Sequence, residues 1–287
     1  MDTTRGAAIV AVVVMHAELE AVARTGESLP LVHAANAALV DVRMPLLVLL
    51  SGLLLPRSLA KGLRTHLRGK VTHILWPYAV WGLLDCTHAV ADAWLGGRPL
   101  PWHLYTQLLH DPHTYLWFLG YLFVFHLVAG VLPEAARVVA VPVVFLVGEQ
   151  VPDGETLNRF VMLLGFFLLG DVLARVVGPR VPRRTSTAAA RLSWEPLAVV
   201  GRNSLVFYAC HLLVLIDGSR LLHAAGLTDP LLLWAVSSML ALTAGAALLR
   251  WRRHRAVAWL FARPATRGHE TATSHLLATP RPTNVGA

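Results

Sequence analysis

The runs GAAIVAVVVMHAELEAV, residues 6–22, and AALVDVRMPLLVLLSGLLL, residues 37–55, decide the architecture. Each approaches the roughly 20 largely apolar residues that carry an α-helix across a hydrocarbon core at about 1.5 Å of rise per residue. Moving outward from them, six further runs have the same character: residues 71–95, 115–132, 135–151, 157–177, 196–217 and 230–249. The expected fold is therefore all-α, a polytopic transmembrane bundle of about eight spans. Only Pro133-Glu134 separates the fourth run from the fifth, which itself carries Pro142.

Composition agrees. Of 287 residues, 55% are hydrophobic and only 15% charged, and the mean hydropathy is +0.56, values that fit helices apolar all round rather than a water-soluble domain. The apolar runs fill most of the chain, so residues 1–263 read as one membrane domain. Residues 264–287, rich in Pro, Thr and Ala without apolar periodicity, read as a disordered cytoplasmic tail. The Arg/Thr/Ala-rich stretch from Gly178 to Glu195 reads as a cytoplasmic linker, and the arginine-studded stretch from Trp251 to Trp259 as an amphipathic segment on the inner leaflet. Cys86 and Cys210 both fall inside apolar runs, which argues against a disulfide and suggests no metal site. The first run carries a histidine and leads to no small-residue cleavage site, unlike a cleaved signal.

A net charge of +8 would fit a nucleic-acid partner, but the distribution of cations assigns it elsewhere. With Met1 in the cytoplasm and eight spans, nineteen of the 25 lysines and arginines fall in cytoplasmic segments. Only Arg24, Arg98, Arg159 and Arg220 fall outside, while Arg43 and Arg202 sit within spans. Cytoplasmic loops of membrane proteins hold such an excess, so both termini are expected in the cytoplasm and no nucleic acid is expected as partner.

Ionisable groups inside spans are costly, about 2.5–3.5 kcal/mol each on an insertion scale, and call for a partner, a wet cavity or a function. The candidates are His16, Arg43, Asp85, His88, His126, Asp171, Arg202 and His211. For His88 and His126 the plain reading is an interhelical hydrogen bond. Asp85 and His88, three apart, suit each other, as do Asp171 and Arg175, and Arg202 has room to snorkel inward. His16 follows Arg5 by eleven residues, a spacing that returns to within roughly 20° on a helix and about 16 Å further along it. Arg5 then stands at the cytoplasmic mouth and His16 in the outer half of the bilayer. Arg43 and Trp117 reach a comparable depth on the second and fourth spans, so one polar cavity ringed by the three is expected.

Four segments carry a family resemblance. The opening Asp2 to Gly6, with Arg5 followed after ten intervening residues by His16, resembles the start of the acyltransferase-3 family of membrane O-acyltransferases. Arg43-Met44-Pro45-Leu46 through Ser51-Gly52 is similar to a second family block, Leu116-Trp117-Phe118-Leu119 to a third, and Gly201-Arg202-Asn203-Ser204-Leu205 with Tyr208 and His211 to a fourth. The departures are aliphatic residues where the family has aromatics after Pro45, fewer spans than many members, and no extracytoplasmic hydrolase-like domain.

The resemblance implies transfer of an acyl group, usually acetyl, from cytoplasmic acyl-CoA to a hydroxyl of a glycan, a lipid-linked sugar or a small molecule, in the cytoplasmic (inner) membrane and without a metal. His16 and Arg43 would then be catalytic, the first as general base and the second at the oxyanion, where such a donor contributes about 2–4 kcal/mol. Arg5 and Arg202 would hold the donor, a guanidinium matching phosphate oxygens. Trp117, Ser51, Asn203 and His211 would line the substrate pocket. An acyl-histidine on His16 is the alternative to direct transfer. A transporter of an acyl or glycan species is the alternative function, since intramembrane His and Arg also mark transport paths; no repeated halves or matched broken helices accompany them.

Overall fold

The computed structural model describes residues 1–110, 115–152, 154–177 and 194–263. The expected tail at 264–287 and most of the expected linker at 178–195 lie outside the described residues. Those described are helical with connecting turns and contain no strand. In chain order the helices are α1 (Asp2–Thr25), α2 (Pro30–Ala38), α3 (Val40–Gly52), α4 (Leu55–Leu59) and α5 (Leu63–Lys70), the last running through a π turn (Val71–Leu75) into α6 (Trp76–Leu95). There follow α7 (His103–His110), α8 (Trp117–Val131), α9 (Glu134–Gly148), α10 (Thr156–Val177), α11 (Glu195–Arg202), α12 (Ser204–Ala224), α13 (Pro230–Trp251) and α14 (Arg255–Phe261).

Prolines write many of these starts. Pro30, Pro56, Pro196 and Pro230 all sit in a first helical turn, where the missing N–H costs nothing. Asp229 caps α13, its Oδ1 accepting from Leu232 N at 2.8 Å, a bond that satisfies one of the free amides of the first turn.

Five helical segments are long and apolar enough to cross a membrane: Asp2–Thr25, Val40–Leu59, Thr156–Val176, Ser204–Ala224 and Pro230–Trp251. The third, fourth and fifth expected runs do not reach that measure. Helix α8 is apolar but has 15 residues, and α9, with Pro142 inside, also has 15. Two boundaries differ from the sequence reading. The second run breaks at Leu39, between α2 and α3. The seventh breaks at Asn203, so its spanning part starts at Ser204 and Arg202 closes a separate short helix. Asn203 Nδ2 donates to Val199 O at 2.9 Å, stabilising a turn that the helical ladder leaves open.

Helix α1 is the axis. It packs against α3, α11, α12 and α13, while α10 joins α3 to α9 on the far side. The approach of α11 is backbone to backbone: a Cβ on Gly6 would lie 1.9 Å from Leu197 O, and one on Gly201 1.8 Å from Asp2 O. Only glycine permits that distance. Helix α14, which begins inside the stretch read as amphipathic, docks on α6, with Phe261 fully buried and the indole N–H groups of Trp76 and Trp81 donating to Trp259 O at 2.7 Å and Leu260 O at 3.2 Å.

Candidate functional site

Two cavities follow α1. The inner one, about 210 Å³, is lined by Arg5, Ser51, Lys70, His73, His126 and Ser204 among others. The outer one, about 620 Å³, is lined by His16, Arg43, Tyr115, Trp117 and Arg159 among others. Tyr208 borders both. It is held there reciprocally, its hydroxyl donating to Tyr115 O while the Tyr115 hydroxyl donates to Ala209 O at 2.5 Å. The expected cavity around His16, Arg43 and Trp117 is thus formed, and the Arg5–His16 stripe reaches from one cavity to the other.

His16 is half-buried in the outer cavity. Its Nδ1 lies 2.9 Å from Val12 O and 3.3 Å from Nε2 of the fully buried His211. His211 Nδ1 lies 2.7 Å from Tyr208 O. A carbonyl can only accept, so both Nδ1 atoms carry hydrogen, and His211 Nε2 accepts from His16. The His16 lone pair is therefore on Nε2, which has no hydrogen-bond partner among the described residues. A neutral imidazole with that nitrogen free is a competent base. His211 does not border either cavity; it stands behind His16.

Arg43 is 5% exposed. Its guanidinium donates to Ala11 O at 3.3 Å, to Asn36 Oδ1 at 3.4 Å and to Asn36 O at 3.2 Å. Asn36 in turn donates through Nδ2 to Glu18 Oε2 at 2.6 Å, and His33 Nδ1 lies 3.1 Å from Glu18 Oε1. Trp117 carries the Arg159 guanidinium over its ring, 5.1 Å from the centroid, a cation–π contact.

In the inner cavity, Arg5 Nη2 donates to Leu50 O at 3.3 Å, and Ser51 Oγ to Leu47 O at 2.9 Å. Lys70, missed in the sequence, adds a second cation; burial, then Lys61 and Arg5, push its pKa down to about 8. Arg202 and Asn203 line neither cavity. Arg202 points to Glu195 at 2.5 Å and is exposed.

Several of the other intramembrane groups have structural partners. His88 Nε2 lies 2.9 and 3.1 Å from the Asp217 carboxylate on α12, so its hydrogen-bond partner is Asp217 rather than the expected Asp85. Asp171 meets Arg175 at 3.2 Å as expected, and also Arg137 at 2.9 Å. Arg137, near the start of the fifth expected run, is buried and donates further to Ala129 O and Leu132 O. The His126 carbonyl accepts from the His66 ring at 3.4 Å, while its own Nδ1 is buried without a partner among the described residues.

A family model described as an acyltransferase domain, Acyl_transf_3, matches residues 1–148, which include Arg5, His16, Arg43 and Trp117. No curated protein and no solved structure matches the chain.

Proposed function

Because the chain belongs to the acyltransferase-3 family of membrane acyltransferases, we propose that it carries an acyl group, acetyl in the simplest case, from a cytoplasmic acyl-CoA to a hydroxyl of a carbohydrate or related acceptor. The observation that carries this reading is the free Nε2 of His16 in a cavity that shares Tyr208 with a second, cation-lined cavity. The eight-span topology with both termini in the cytoplasm belongs to the same proposal. It puts Arg5 and Lys70 on the side where CoA is made, and the short helices α8 and α9 then complete the bundle.

The donor's phosphates sit at the inner mouth against Arg5 and Lys70, and its thiol arm runs toward Tyr208. The acceptor occupies the outer cavity. His16 Nε2 takes the hydroxyl proton as the oxygen attacks the thioester carbon. Arg43 faces the developing oxyanion, already held in place by Ala11 and Asn36 and needing no reorganisation. Collapse breaks the C–S bond, and the thiolate leaves with the proton from His16 as CoA thiol. A thioester is already activated, so no serine or cysteine nucleophile is needed.

The test uses membranes containing the full chain and acetyl-labelled acetyl-CoA. The expected result is acceptor-dependent CoA release that His16→Ala abolishes at unchanged protein level. Undiminished turnover in that variant would overturn the assignment of the base.

A further inference from the structure

The outer cavity has an unusual wall for a carbohydrate site. Val12, Met15, Met44, Met162, Leu163 and Phe166 supply much of it. Apart from the aromatic Tyr115, Trp117 and Tyr208, its polar side chains gather in two places: at His16 with Arg43, and at the outer ends of α3 and α10, where Asp41, Asn158 and Arg159 stand. A polyhydroxylated chain drawn against such a wall loses water without gaining partners, which is unfavourable for each hydroxyl. An apolar chain or ring there is stabilised in proportion to the area it buries.

The packing of α3 on α10 bears on how this wall is reached. At their inner ends the two backbones touch: a Cβ on Gly52 would lie 2.0 Å from Phe167 O, and one on Gly170 2.3 Å from Leu49 O. Outward from there the same helices border the cavity, through Val40 to Pro45 on one side and Asn158 to Phe166 on the other. Both belong to segments long and apolar enough to cross a membrane. Val40, on the cavity border, is 55% exposed. The pair is thus in backbone contact at Gly52 and Gly170 and lines the cavity further along, with the exposed Val40 at the cavity's border.

Resting on the acyl-transfer reading, we infer that the acceptor is an amphiphile, a hydroxyl-bearing head on an apolar body, which reaches His16 from the bilayer between α3 and α10. Its head lies between His16 and the Asp41–Arg159 rim, and its apolar part lies along Met44, Met162 and Phe166. A lipid-linked saccharide and a hydrophobic, hydroxylated small molecule share this chemistry.

The test has a binding arm and a turnover arm. In the first, membranes holding the wild-type chain or His16→Ala are irradiated with an octyl glucoside carrying a terminal benzophenone. Adducts are expected on α3 and α10 around Met44 and Met162 in both proteins, competed by dodecyl glucoside and not by glucose. Adducts confined to other helices, or equal competition by glucose, overturn the inference. In the second, acetyl transfer from labelled acetyl-CoA to alkyl glucosides is followed against chain length. The ratio kcat/KM is expected to rise roughly fourfold per methylene until the chain outgrows the cavity; a flat series overturns the inference. Extraction of labelled cells then separates the sources: label in the lipid phase indicates a lipid-linked saccharide, label in a secreted apolar compound the small molecule, and label in a water-soluble polymer overturns both. Specific adducts without transfer to any acceptor would support the binding inference while removing the acyl-transfer reading.

Discussion

Glu18 and Arg43 share one amide: Asn36 donates to the Glu18 carboxylate at 2.6 Å while its own oxygens accept from the Arg43 guanidinium. All three are buried. The carboxylate thus balances the cation across a neutral bridge, which fixes the direction of the guanidinium beside the outer cavity. Removing the bridge leaves two buried charges without their shared partner, a loss on the order of 1–3 kcal/mol for an unmet buried hydrogen bond. Asn36→Leu is expected to lower kcat about tenfold or more, with a smaller change in KM for the donor, and to lower Tm in detergent. Glu18→Gln, which keeps an acceptor for Asn36, is expected to retain more activity than Asn36→Leu. Equal losses in kcat for the two variants would mean that the charge of Glu18, not the bridge, orients Arg43.

His211 acts on His16 by accepting from its Nδ1, which keeps the lone pair on Nε2. His211→Phe preserves volume and aromatic packing but offers no acceptor. Removing the group that fixes a catalytic imidazole's tautomer costs up to about 10⁴-fold in a serine protease. Val12 O remains as a second acceptor here, so a fall in kcat on the order of tenfold to a hundredfold is expected, with donor KM unchanged. Initial-rate kinetics at saturating donor measure it.

Much of this site was legible in the sequence, for specific reasons. The eleven-residue spacing from Arg5 to His16 fixes a shared stripe whatever surrounds the helix, and both residues border cavities on that stripe. Arg43 stood out because a cation inside an apolar run is costly. Glu18, a carboxylate two residues beyond His16 in the same run, was passed over among the intramembrane charges, and its partner Asn36 is uncharged and lies on another helix. The Arg202–Glu195 pair was visible in principle, since a seven-residue spacing nearly closes two helical turns. It stayed hidden because the run was read as unbroken through Asn203. The pairing of His88 with Asp217 crosses 129 positions, and no local pattern encodes a contact of that range. Span length meets the same limit, because hydropathy does not reveal that apolar runs near 115–151 form helices of only 15 residues.

The inner mouth carries a pH signature. The Lys70 ammonium is disfavoured by burial and by Lys61 and Arg5, so its proton leaves at about pH 8 rather than near 10.5. A bound phosphate stabilises the charged form, which links donor binding to proton uptake once the free enzyme has lost that proton. KM for acetyl-CoA is therefore expected to be flat below about pH 8 and to climb above it. Lys70→Met is expected to raise KM roughly tenfold at neutral pH, the scale of one charge-assisted hydrogen bond, and to remove the climb. A pH series of initial rates with both proteins checks it; an identical climb in the variant would assign the titration to another group.

Asp171 is a contrasting case, a buried charge whose partners are all structural. It binds Arg137 and Arg175 together, tying α9 to α10. Breaking a buried ion pair from one side costs about 3–5 kcal/mol because it strands the other charge. Asp171→Ala is expected to lower Tm and the yield of folded protein sharply. The fraction that folds should keep the kcat of the parent, because neither arginine lines the inner or the outer cavity. Active-site titration, which normalises rate to folded enzyme, separates the two effects.

The seam between α1 and α11 sets the position of Arg5. Gly6 follows Arg5 directly, and the Cβ of an alanine at Gly201 would fall 1.8 Å from Asp2 O and 2.8 Å from Gly6 N. Those neighbours are backbone and cannot rotate away, so Gly201→Ala must push the two helices apart. Overpacking of this kind costs about 1–3 kcal/mol. The displacement falls at the inner mouth, whereas His16 sits about 16 Å along the helix, beside α12 and α3. Donor KM is therefore expected to rise while the rate at saturating donor changes little. Ala7, the next residue, is exposed, and Ala7→Ser serves as a control that should leave KM unchanged. If Gly201→Ala lowered kcat at unaltered KM, the seam would be coupled to His16 rather than to the mouth, and the assignment of Arg5 to the donor would fail with it.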